Sequence, residues 1–284
     1  MSTIKQSRSA GFIIITLIYL CAIALGAWIF ITLTDYSLLA RLFIADFWAT
    51  VLVWFFGVLF KNSSVYDPYW SVAPPVMLTG YACYCDSFGL PVILLLTAVW
   101  VWAIRLTGNW AYTFKNLTIQ DWRYDKYKND SPKQWHIVNF FGINLMPTII
   151  VFLAMIPGFL LIEKNVTEAT VWTYAGCLLC ILSALLQLAS DTQAHRFRKE
   201  HPGEVCNVGL WKYSRHPNYL GEICMWWGVY FMLLSVAPGE WFSLIGAAVN
   251  TLLFVFISIP LMEQRQLANK PGYKEYKEKT RMLF

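Results

Sequence analysis

The chain is poor in charged residues, and this scarcity decides its broad class before any motif is considered. Only 14% of its 284 residues are charged, whereas 57% are hydrophobic and 17% are aromatic, and the mean hydropathy is +0.48. A soluble globule carries about 25% charged residues on average. The composition therefore excludes a soluble globular protein and predicts an integral membrane protein.

Histidines and paired cysteine motifs, which supply most protein ligands of transition metals, are also scarce. The chain has four histidines, well separated in sequence, and seven cysteines, most of them inside apolar runs. Its one Cys-x-x-Cys, Cys177 to Cys180, lies in a hydrophobic run, where packing is the favoured role. We therefore predict no metal site.

A basic arm and a cleavable signal peptide are two further features that the sequence lacks. The net charge is +5, but the basic residues fall at the ends of apolar segments, so we expect no nucleic-acid partner. The first apolar run, 10–33, is too long for a signal-peptide core, and no small-residue cleavage site follows it. We expect this run to remain as a membrane anchor.

What the chain does contain is a series of apolar runs long enough to cross a bilayer, which takes about 17–25 residues. These runs lie near residues 10–33, 43–60, 68–84, 90–114, 138–162, 170–190 and 223–262. The last run is broken at Pro238-Gly239 into two helices, whereas Pro74-Pro75 should kink or break the third run. We predict an all-α, polytopic membrane helix bundle with seven or eight transmembrane helices, in which residues 1–284 form a single domain.

Basic residues are distributed asymmetrically between alternate loops. With eight crossings and a cytoplasmic N-terminus, 19 of the 22 lysines and arginines fall on the cytoplasmic side. Both termini and the loops 115–137 and 191–221 are then cytoplasmic. We expect an integral protein of the bacterial inner membrane, or of the endoplasmic reticulum in a eukaryote, that meets any soluble cofactor on its cytoplasmic face.

Polar residues are concentrated in the stretch Gly209–Glu222, GLWKYSRHPNYLGE, directly before an apolar run. Ionisable side chains at membrane depth are costly, so a cluster of them there indicates a functional site. Arg215 and His216 can donate to phosphate or carbonyl oxygens, and tyrosines can stack on a flat ring. The alternative is a juxtamembrane turn before a helix that starts at Pro217, but Glu222 has no role in such a turn.

A second polar group lies just upstream, at the end of the sixth apolar run. Asp191, His195 and Arg198 are spaced by four and then three residues, so they share one face if the helix continues past the membrane surface. A carboxylate beside guanidinium groups suits a ribose hydroxyl next to phosphates. The alternative is a helix end whose basic residues touch lipid head groups.

Two polar features interrupt the earlier apolar runs. Asp67 and Tyr69 enter the third run, and the alternative to a functional role is that Asp67 caps a kinked helix. Arg105 lies within the fourth run, where an unpaired guanidinium is costly. It should therefore pair with a carboxylate such as Asp67 or contact a cofactor.

Three stretches resemble the membrane steroid 5α-reductase superfamily, which includes sterol C14 and C7 reductases and, more distantly, isoprenylcysteine carboxyl methyltransferases. They are SDTQAHRFRKEHPGE, LWKYSRHPNYLGE and the closing PGYKEYKEKTRMLF. The resemblance is specific over residues 187–284, weaker over 65–125 and absent over 1–60, so residues 61–284 would form the catalytic core. It implies an enzyme that holds NADPH in a cytoplasm-facing cavity.

The resemblance also implies a reaction and a substrate class. Hydride would pass from the nicotinamide to a carbon–carbon double bond conjugated to a carbonyl, in a steroid-like or other lipid substrate that enters from the bilayer. Reduction of a 3-oxo-Δ4-steroid at C5 is the leading candidate. Nothing in the chain requires an oligomer, and membrane lipids are its expected surroundings.

The predicted cofactor-binding residues come from family positions, from the shared helix face and from analogy with a basic loop residue of the steroid reductases. They are Arg105, Arg123, Asp191, His195, Arg198, Tyr213, Arg215, His216, Asn218, Tyr219, Glu222 and Glu263. Glu263 takes the place of polar groups that lie over the cofactor in the family. The alternative interpretation of Arg123 is a solvated charge in a loop that does not contact a cofactor.

The predicted catalytic residues are Asp67, Tyr69 and Trp102, of which Asp67 falls where the family has its carboxylate. Hydride addition to an enone builds negative charge on oxygen, which a neutral acid or phenol stabilises. Trp102 stands where the family has a tyrosine, and an indole cannot supply a proton. Either Tyr69 or Tyr112 then takes that duty, or the substrate differs.

Two other functional classes stay open. A methyltransferase that uses S-adenosylmethionine would share the RHPNY turn, because both cofactors contain adenosine. Asp191, Arg198 and the NYLGE ending favour the reductase over that alternative. A non-catalytic lipid or sterol sensor is the third class, and for it Asp67 and Arg105 would be dispensable.

Overall fold

The computed structural model describes residues 2–283, and this part of the chain is built from helices, with no β-strand. One isolated parallel bridge joins Ser214 to Arg281. The α-helices are α1 (Ser2–Gln6), α2 (Arg8–Thr32), α3 (Leu38–Phe60), α4 (Tyr69–Tyr84), α5 (Leu90–Thr113), α6 (Trp122–Asp130), α7 (Trp135–Ile137), α8 (Met146–Lys164), α9 (Val171–Glu200), α10 (Pro217–Val236), α11 (Ile245–Leu253), α12 (Ile259–Asn269) and α13 (Tyr273–Lys279). The predicted all-α fold is confirmed.

Several short helices join the α-helices into longer segments. The π-helix Val138–Leu145 joins α7 to α8, and the π-helix Phe254–Ser258 joins α11 to α12. The 3-10 helix Pro238–Leu244 follows directly after α10 and leads into α11. The predicted break at Pro238-Gly239 is therefore confirmed, and it divides the last apolar run into two helical segments.

Seven helical segments of the described residues are long and apolar enough to cross a membrane. They are Arg8–Thr32, Leu38–Phe60, Leu90–Thr113, Pro132–Lys164, Val171–Glu200, Pro217–Val236 and Pro238–Asn269. Each coincides with a predicted apolar run, so the chain is a polytopic membrane helix bundle. The lower of the two predicted helix numbers is the one that the structure supports.

Helix α4 accounts for the difference between seven and eight. It has 16 residues, and at 1.5 Å per residue it is about 24 Å long, which falls short of the roughly 30 Å of bilayer hydrocarbon. Pro74 and Pro75 lie inside it, and the helix continues past both of them, so they do not break it. Two cytoplasmic termini need an even number of membrane crossings, so α4 would have to cross the membrane as well. The cytoplasmic position of both termini therefore stays a prediction.

The described chain divides into two compact units. Unit 1 contains the residues up to Tyr81 together with Leu106–Phe152, and unit 2 contains Ala82–Arg105 and the residues from Leu153 onward. Unit 1 is centred on a buried apolar cluster of α2, α3 and the segments that follow α3 and α5, in which Val53 and Val65 are fully buried. The single domain predicted from the sequence stays a prediction.

In unit 2, helices α9 and α10 pack closely along small residues. A Cβ on Gly176 would lie 3.0 Å from the Gly228 carbonyl oxygen, and a Cβ on Gly228 would lie 2.9 Å from the Gly176 oxygen. The missing side chains let the two backbones approach, as small residues do in membrane helix pairs. The close packing continues toward the other end of the pair, where a Cβ on Gly221 of α10 would lie 2.8 Å from the Ser183 carbonyl oxygen of α9. The end of α9 and the start of α10, which carry the predicted polar clusters, are therefore held close together.

Candidate functional site

The turn before α10 is fastened to α9 by hydrogen bonds. Gly209 has a φ of +56°, which favours glycine, and a Cβ there would lie 2.4 Å from Gln193 Oε1. The same oxygen accepts a hydrogen bond from the Leu210 N–H at 2.9 Å. Trp211 donates its ring N–H to the Ser190 carbonyl at 3.0 Å. The GLW segment is thereby held on the last turns of α9.

Helix α10 starts where the motif places proline. Pro217 occupies the first helical turn, a position in which its missing N–H and fixed φ carry no penalty. Asn218 then donates from Nδ2 to Asp191 Oδ1 of α9 at 3.2 Å. Tyr219 stacks on the His216 ring, with ring centroids 5.4 Å apart and an interplanar angle of 10°. The two predicted polar clusters therefore meet.

A cavity of about 230 Å³ lies among these segments of unit 2. Its lining residues are Ala194, Arg198, Val205, Cys206, Trp211, Arg215, His216, Asn218, Tyr219, Met262, Gln266, Lys270, Tyr273 and Tyr276. We call it the basic cavity, because its lining includes two arginines, a lysine and a histidine but no carboxylate. Typical small-molecule pockets measure about 300–1,000 Å³, so the basic cavity suits one end of a larger ligand.

Two cations of the basic cavity lack an acidic partner. Within residues 2–283, neither Arg198 nor Lys270 forms an ion pair with a carboxylate. Arg198 donates to the Ala194 carbonyl at 2.9 Å, and Lys270 donates to the Glu204 carbonyl at 2.8 Å. Burial lowers the pKa of Lys270, and the positive charge of Arg198 lowers it further. Like charges placed together around a cavity attract an anionic ligand.

Glu263 of α12 neutralises another part of the same region. Its carboxylate is 2.7 Å from Arg215 Nε, 3.2 Å from His216 Nε2 and 2.7 Å from Lys277 Nζ. Burial lowers the pKa of His216 to about 4, although hydrogen bonding to Glu263 opposes that shift. His216 is therefore neutral at physiological pH, and Glu263 is shared by Arg215 and Lys277.

Arg105 of α5 carries the least satisfied buried polar group of unit 2. Its Nη2 lies 3.3 Å from Asp191 Oδ2, and its side chain is only 7% exposed. Its Nε and Nη1 are buried without a hydrogen-bond partner. The prediction that Arg105 pairs with Asp67 is wrong. Arg105 pairs with Asp191, and Asp67 accepts a hydrogen bond from Tyr124 instead. Two donor nitrogens without a hydrogen-bond partner and out of water are costly, and they favour a ligand oxygen.

Glu222 joins three helices of unit 2 through its carboxylate. Oε2 accepts hydrogen bonds from Trp102 Nε1 at 2.8 Å and from Gln187 Nε2 at 3.2 Å, and Oε1 accepts one from Trp226 Nε1 at 3.0 Å. Glu222 is 4% exposed and does not line the basic cavity. These contacts give it a structural reason to lie inside α10, which the sequence did not provide.

The predicted catalytic residues Asp67 and Tyr69 lie in unit 1, with separate partners. Tyr69 donates its hydroxyl to Asp46 Oδ1 at 2.9 Å, and Asp67 accepts the hydroxyl of Tyr124. Burial raises the pKa of Asp67 to about 6, against the opposing effect of the Tyr124 hydrogen bond. The two predicted residues are therefore not hydrogen-bonded to each other.

Hydroxyl groups extend the polar network of unit 1. Tyr66 and Thr148 share a hydrogen bond of 2.7 Å, and Thr148 shares another of 3.0 Å with Thr50. Arg123 also belongs to unit 1, where it pairs with Asp121 at 2.8 Å. Its guanidinium therefore has a local carboxylate partner.

The structure sorts the predicted cofactor-binding residues into three groups. Those that line the basic cavity are Arg198, Arg215, His216, Asn218 and Tyr219. Those in the hydrogen-bonded networks of unit 2 that do not line it are Arg105, Asp191, Glu222 and Glu263. The remaining three are His195, which is half-buried, Tyr213, which is 71% exposed, and Arg123 in unit 1.

Several residues of the site were not predicted from the sequence. Lys270, Tyr273 and Tyr276 line the basic cavity, and Lys277 pairs with Glu263. They surround or belong to PGYKEYKEK, a segment that carries the family resemblance, so its tyrosines and lysines were a usable signal. Asp46 was a further signal, because it is a lone carboxyl within the second apolar run.

Comparison with known proteins gives a family match over most of the chain. The profile of a family described as protein of unknown function (DUF1295) matches residues 53–280. An uncharacterized protein of Schizosaccharomyces pombe is 22% identical over 268 residues, which cover 82% of this chain and 75% of that protein. No solved structure matches.

A second relative has a stated activity but a short match. The protein-S-isoprenylcysteine O-methyltransferase of Saccharomyces cerevisiae is 30% identical over 92 residues. That alignment covers 30% of this chain and 34% of the yeast enzyme. The chain thus shares about a third of its length with an enzyme of known class.

Proposed function

Since the chain belongs to the DUF1295 family, within the steroid 5-alpha reductase-like and isoprenylcysteine methyltransferase-like superfamily, we propose that it is a membrane oxidoreductase. It binds NADPH with the basic cavity of unit 2. Its substrate is a lipophilic enone that enters from the bilayer, and a 3-oxo-Δ4-steroid is the leading candidate.

The observation that carries the proposal is the unpaired charge of Arg198 and Lys270 in the basic cavity. Phosphate groups carry one or two negative charges, and a guanidinium can bind two of their oxygens at once. Trp211, Tyr219 and Tyr273 add aromatic surface to the same lining, on which an adenine ring can stack. Phosphate beside a flat base is the chemistry of an adenosine phosphate.

Arg105 supports a ligand that extends beyond the basic cavity. Asn218 lines the cavity and donates to Asp191, which in turn pairs with Arg105. The free Nε and Nη1 of Arg105 are therefore two hydrogen-bonded steps from the cavity lining. A dinucleotide is long enough to use both places, because the 230 Å³ cavity accommodates only one end of it.

The chain's own residues would bind, orient and protonate, since bound NADPH supplies the hydride and leaves as NADP⁺. Reduction of an enone adds that hydride to the β-carbon and a proton to the α-carbon. Trp102 donates its only N–H to Glu222, so we assign the proton to a hydroxyl or carboxyl group. Asp67 and Tyr69 stay the predicted catalytic residues, and the carboxyl of Asp67, whose pKa burial raises to about 6, can exchange a proton near neutral pH.

A methyltransferase is the second candidate, and the yeast relative favours it. S-adenosylmethionine carries an ammonium, a sulfonium and one carboxylate, so its net charge is positive and a lining of like charge disfavours it. The basic cavity offers no carboxylate, and Glu263 beside it is already shared by Arg215 and Lys277. The charge balance therefore favours the phosphate-bearing cofactor.

Direct binding measurements on the purified protein in mild detergent test the proposal. We expect the wild type to bind NADPH and the double variant R198A/K270A to bind it about 100-fold more weakly, because each charged hydrogen bond contributes about 1.5–3 kcal/mol. The control K199A/K212A removes two exposed lysine charges that do not line the cavity and should bind as the wild type does. Binding of S-adenosylmethionine but not NADPH, or equal NADPH affinity in both double variants, would overturn the proposal.

A further inference from the structure

The C-terminal segment forms one wall of the basic cavity. Tyr273 and Tyr276 of α13 line the cavity and are 4% and 8% exposed, respectively. Tyr276 donates its hydroxyl to the Trp211 carbonyl at 2.5 Å. The aromatic surface of α13 is therefore available to a ligand only while α13 stays docked on the turn before α10.

One carboxylate holds this wall in place. Glu263 of α12 binds Lys277 of α13 at 2.7 Å and Arg215 of the turn at 2.7 Å. Arg215 also donates from Nη1 to the carbonyls of Lys277 and Thr280, at the C-terminal end of α13. The turn and α13 are therefore both held to α12 through Glu263, which is 5% exposed.

The charges make this arrangement depend on Glu263. Arg215 and Lys277 are both cationic, and His216 beside them is neutral because burial lowers its pKa. Tyr273 and Tyr276, which also face this region, are neutral, since burial raises the pKa of both phenols. Without the carboxylate, two like charges would lie together with no counter-ion, which disfavours the docked position of α13.

We propose that Glu263 and Lys277 are positioning residues that hold α13 against the basic cavity and thereby set the affinity of the cavity for its ligand. Neither residue lines the cavity. Lys277 acts on the ligand through Tyr273 and Tyr276 of its own helix. Glu263 acts also through Arg215 and His216, which line the cavity. This inference deepens the proposed function, on which its cofactor part rests. It replaces the expectation that Glu263 itself lies over the cofactor.

Cys206 offers a readout that needs no cofactor. It lines the basic cavity, is 9% exposed and has a free thiol. If α13 is released, a maleimide reaches this thiol more easily, and peptide mass spectrometry resolves it from the other cysteines. Cys180 is fully buried between α9 and α10 and serves as the internal reference for unfolding.

The experiment compares K277A with K279A, a matched loss of one lysine from the same helix. Lys279 forms no ion pair within the described residues, whereas Lys277 binds Glu263. We expect maleimide to label Cys206 about fivefold faster in K277A and in E263Q, with Cys180 unreactive. K279A should keep the wild-type rate, and K277R should restore it. We also expect K277A to raise the KM for NADPH about fivefold with kcat unchanged.

Each outcome decides between the inference and the proposed function. Faster labelling of Cys206 in K277A and E263Q but not in K279A, in a protein that does not bind NADPH, would overturn the cofactor but support the positioning role. Equal labelling rates in K277A, K279A and the wild type would overturn the positioning role, even if NADPH binds. Labelling of Cys180 together with Cys206 would show general unfolding and would also contradict it.

Discussion

The carboxyl groups compared in the two units have different types of partner. In unit 1 the carboxyls of Asp46 and Asp67 accept hydrogen bonds from phenols. In unit 2 the carboxylates of Asp191 and Glu263 face arginine or lysine. A carboxyl beside a phenol is satisfied without a charge, whereas a carboxylate beside a cation requires one. The carboxyls of Asp46 and Asp67 in unit 1 can therefore hold a proton, whereas the carboxylates of Asp191 and Glu263 in unit 2 can hold a cation.

The difference assigns separate duties to the two polar regions under the proposed function. Arg198 and Lys270 of the basic cavity have charge that no carboxylate of residues 2–283 neutralises by an ion pair. The network of Asp46, Tyr69 and their neighbours has hydroxyl groups and no such surplus of cations. Substitutions that remove a charge should therefore damage unit 2 more than substitutions of equal size damage unit 1.

The largest effect should follow from Glu222→Gln in unit 2. The carboxylate accepts hydrogen bonds from Trp102, Trp226 and Gln187. The amide group of glutamine would place its own N–H donors against some of these N–H groups. We expect a loss of about 3 kcal/mol in the free energy of unfolding, as for buried charged groups that lose a partner. Denaturation in detergent measures it, and Glu204→Gln is the control, since that side chain is 67% exposed. Equal midpoints for both variants would contradict the structural role of Glu222.

A smaller loss should follow from Asp191→Asn. This change removes the ion pair of Arg105, whose Nε and Nη1 already lack partners. We expect destabilisation by about 2 kcal/mol, and partial recovery in the double variant D191N/R105Q, because the stranded charge is then gone. Additive losses in the double-mutant cycle would mean that the two side chains do not interact.

Asp67→Asn should change the pH dependence of stability in unit 1. Burial raises the pKa of Asp67 from 3.8 to about 6, so the folded protein binds this proton more tightly than the unfolded chain does. The stabilisation is complete below pH 3.8 and is lost as the pH rises through about 6. We expect a contribution of about 1 kcal/mol after allowance for partial exposure.

Melting temperatures of the wild type and D67N between pH 4 and pH 7.5 check this slope. The wild type should lose stability across that interval, and D67N should lose less, because asparagine resembles the protonated acid. A wild-type stability that rises with pH through this range, with D67N flat, would show that Asp67 is charged in the folded protein.

The smallest effect should follow from Tyr69→Phe. The change removes the hydroxyl that donates to Asp46 at 2.9 Å and keeps the ring that packs in the core of unit 1. We expect a loss of about 0.5 kcal/mol, the lower end of the usual net contribution of a hydrogen bond. The matched variant Tyr84→Phe removes a hydroxyl from a side chain that is 52% exposed. A loss above that of Glu222→Gln would reverse the comparison between the units.

The sequence predicted the helices well, because burial in lipid demands long apolar runs whose ends are marked by polar residues. Helix α9, Val171–Glu200, continues past its apolar run, as the face shared by Asp191 and Arg198 required. The meeting of Asp191 with Asn218 follows from α9 and α10 being neighbours in sequence and in space. Local patterns therefore predicted the parts of the site that lie on adjacent helices.

Partners on distant segments could not be predicted in the same way. Asp67 and Asp191 are chemically equivalent candidates for Arg105, and only the packing of α5 against α9 selects Asp191. Likewise nothing in the sequence distinguishes Lys277, which binds Glu263, from Lys279, two residues later. Such choices depend on helix rotation and on tertiary contacts, which a single sequence does not encode by spacing.

The affinity of the purified protein for NADPH, measured against S-adenosylmethionine in the wild type and in R198A/K270A, tests the central claim most directly. The account predicts that the wild type binds NADPH more tightly than S-adenosylmethionine. It also predicts that the double variant binds NADPH about 100-fold more weakly than the wild type, with no such loss for S-adenosylmethionine. A wild type that binds S-adenosylmethionine and not NADPH would contradict it.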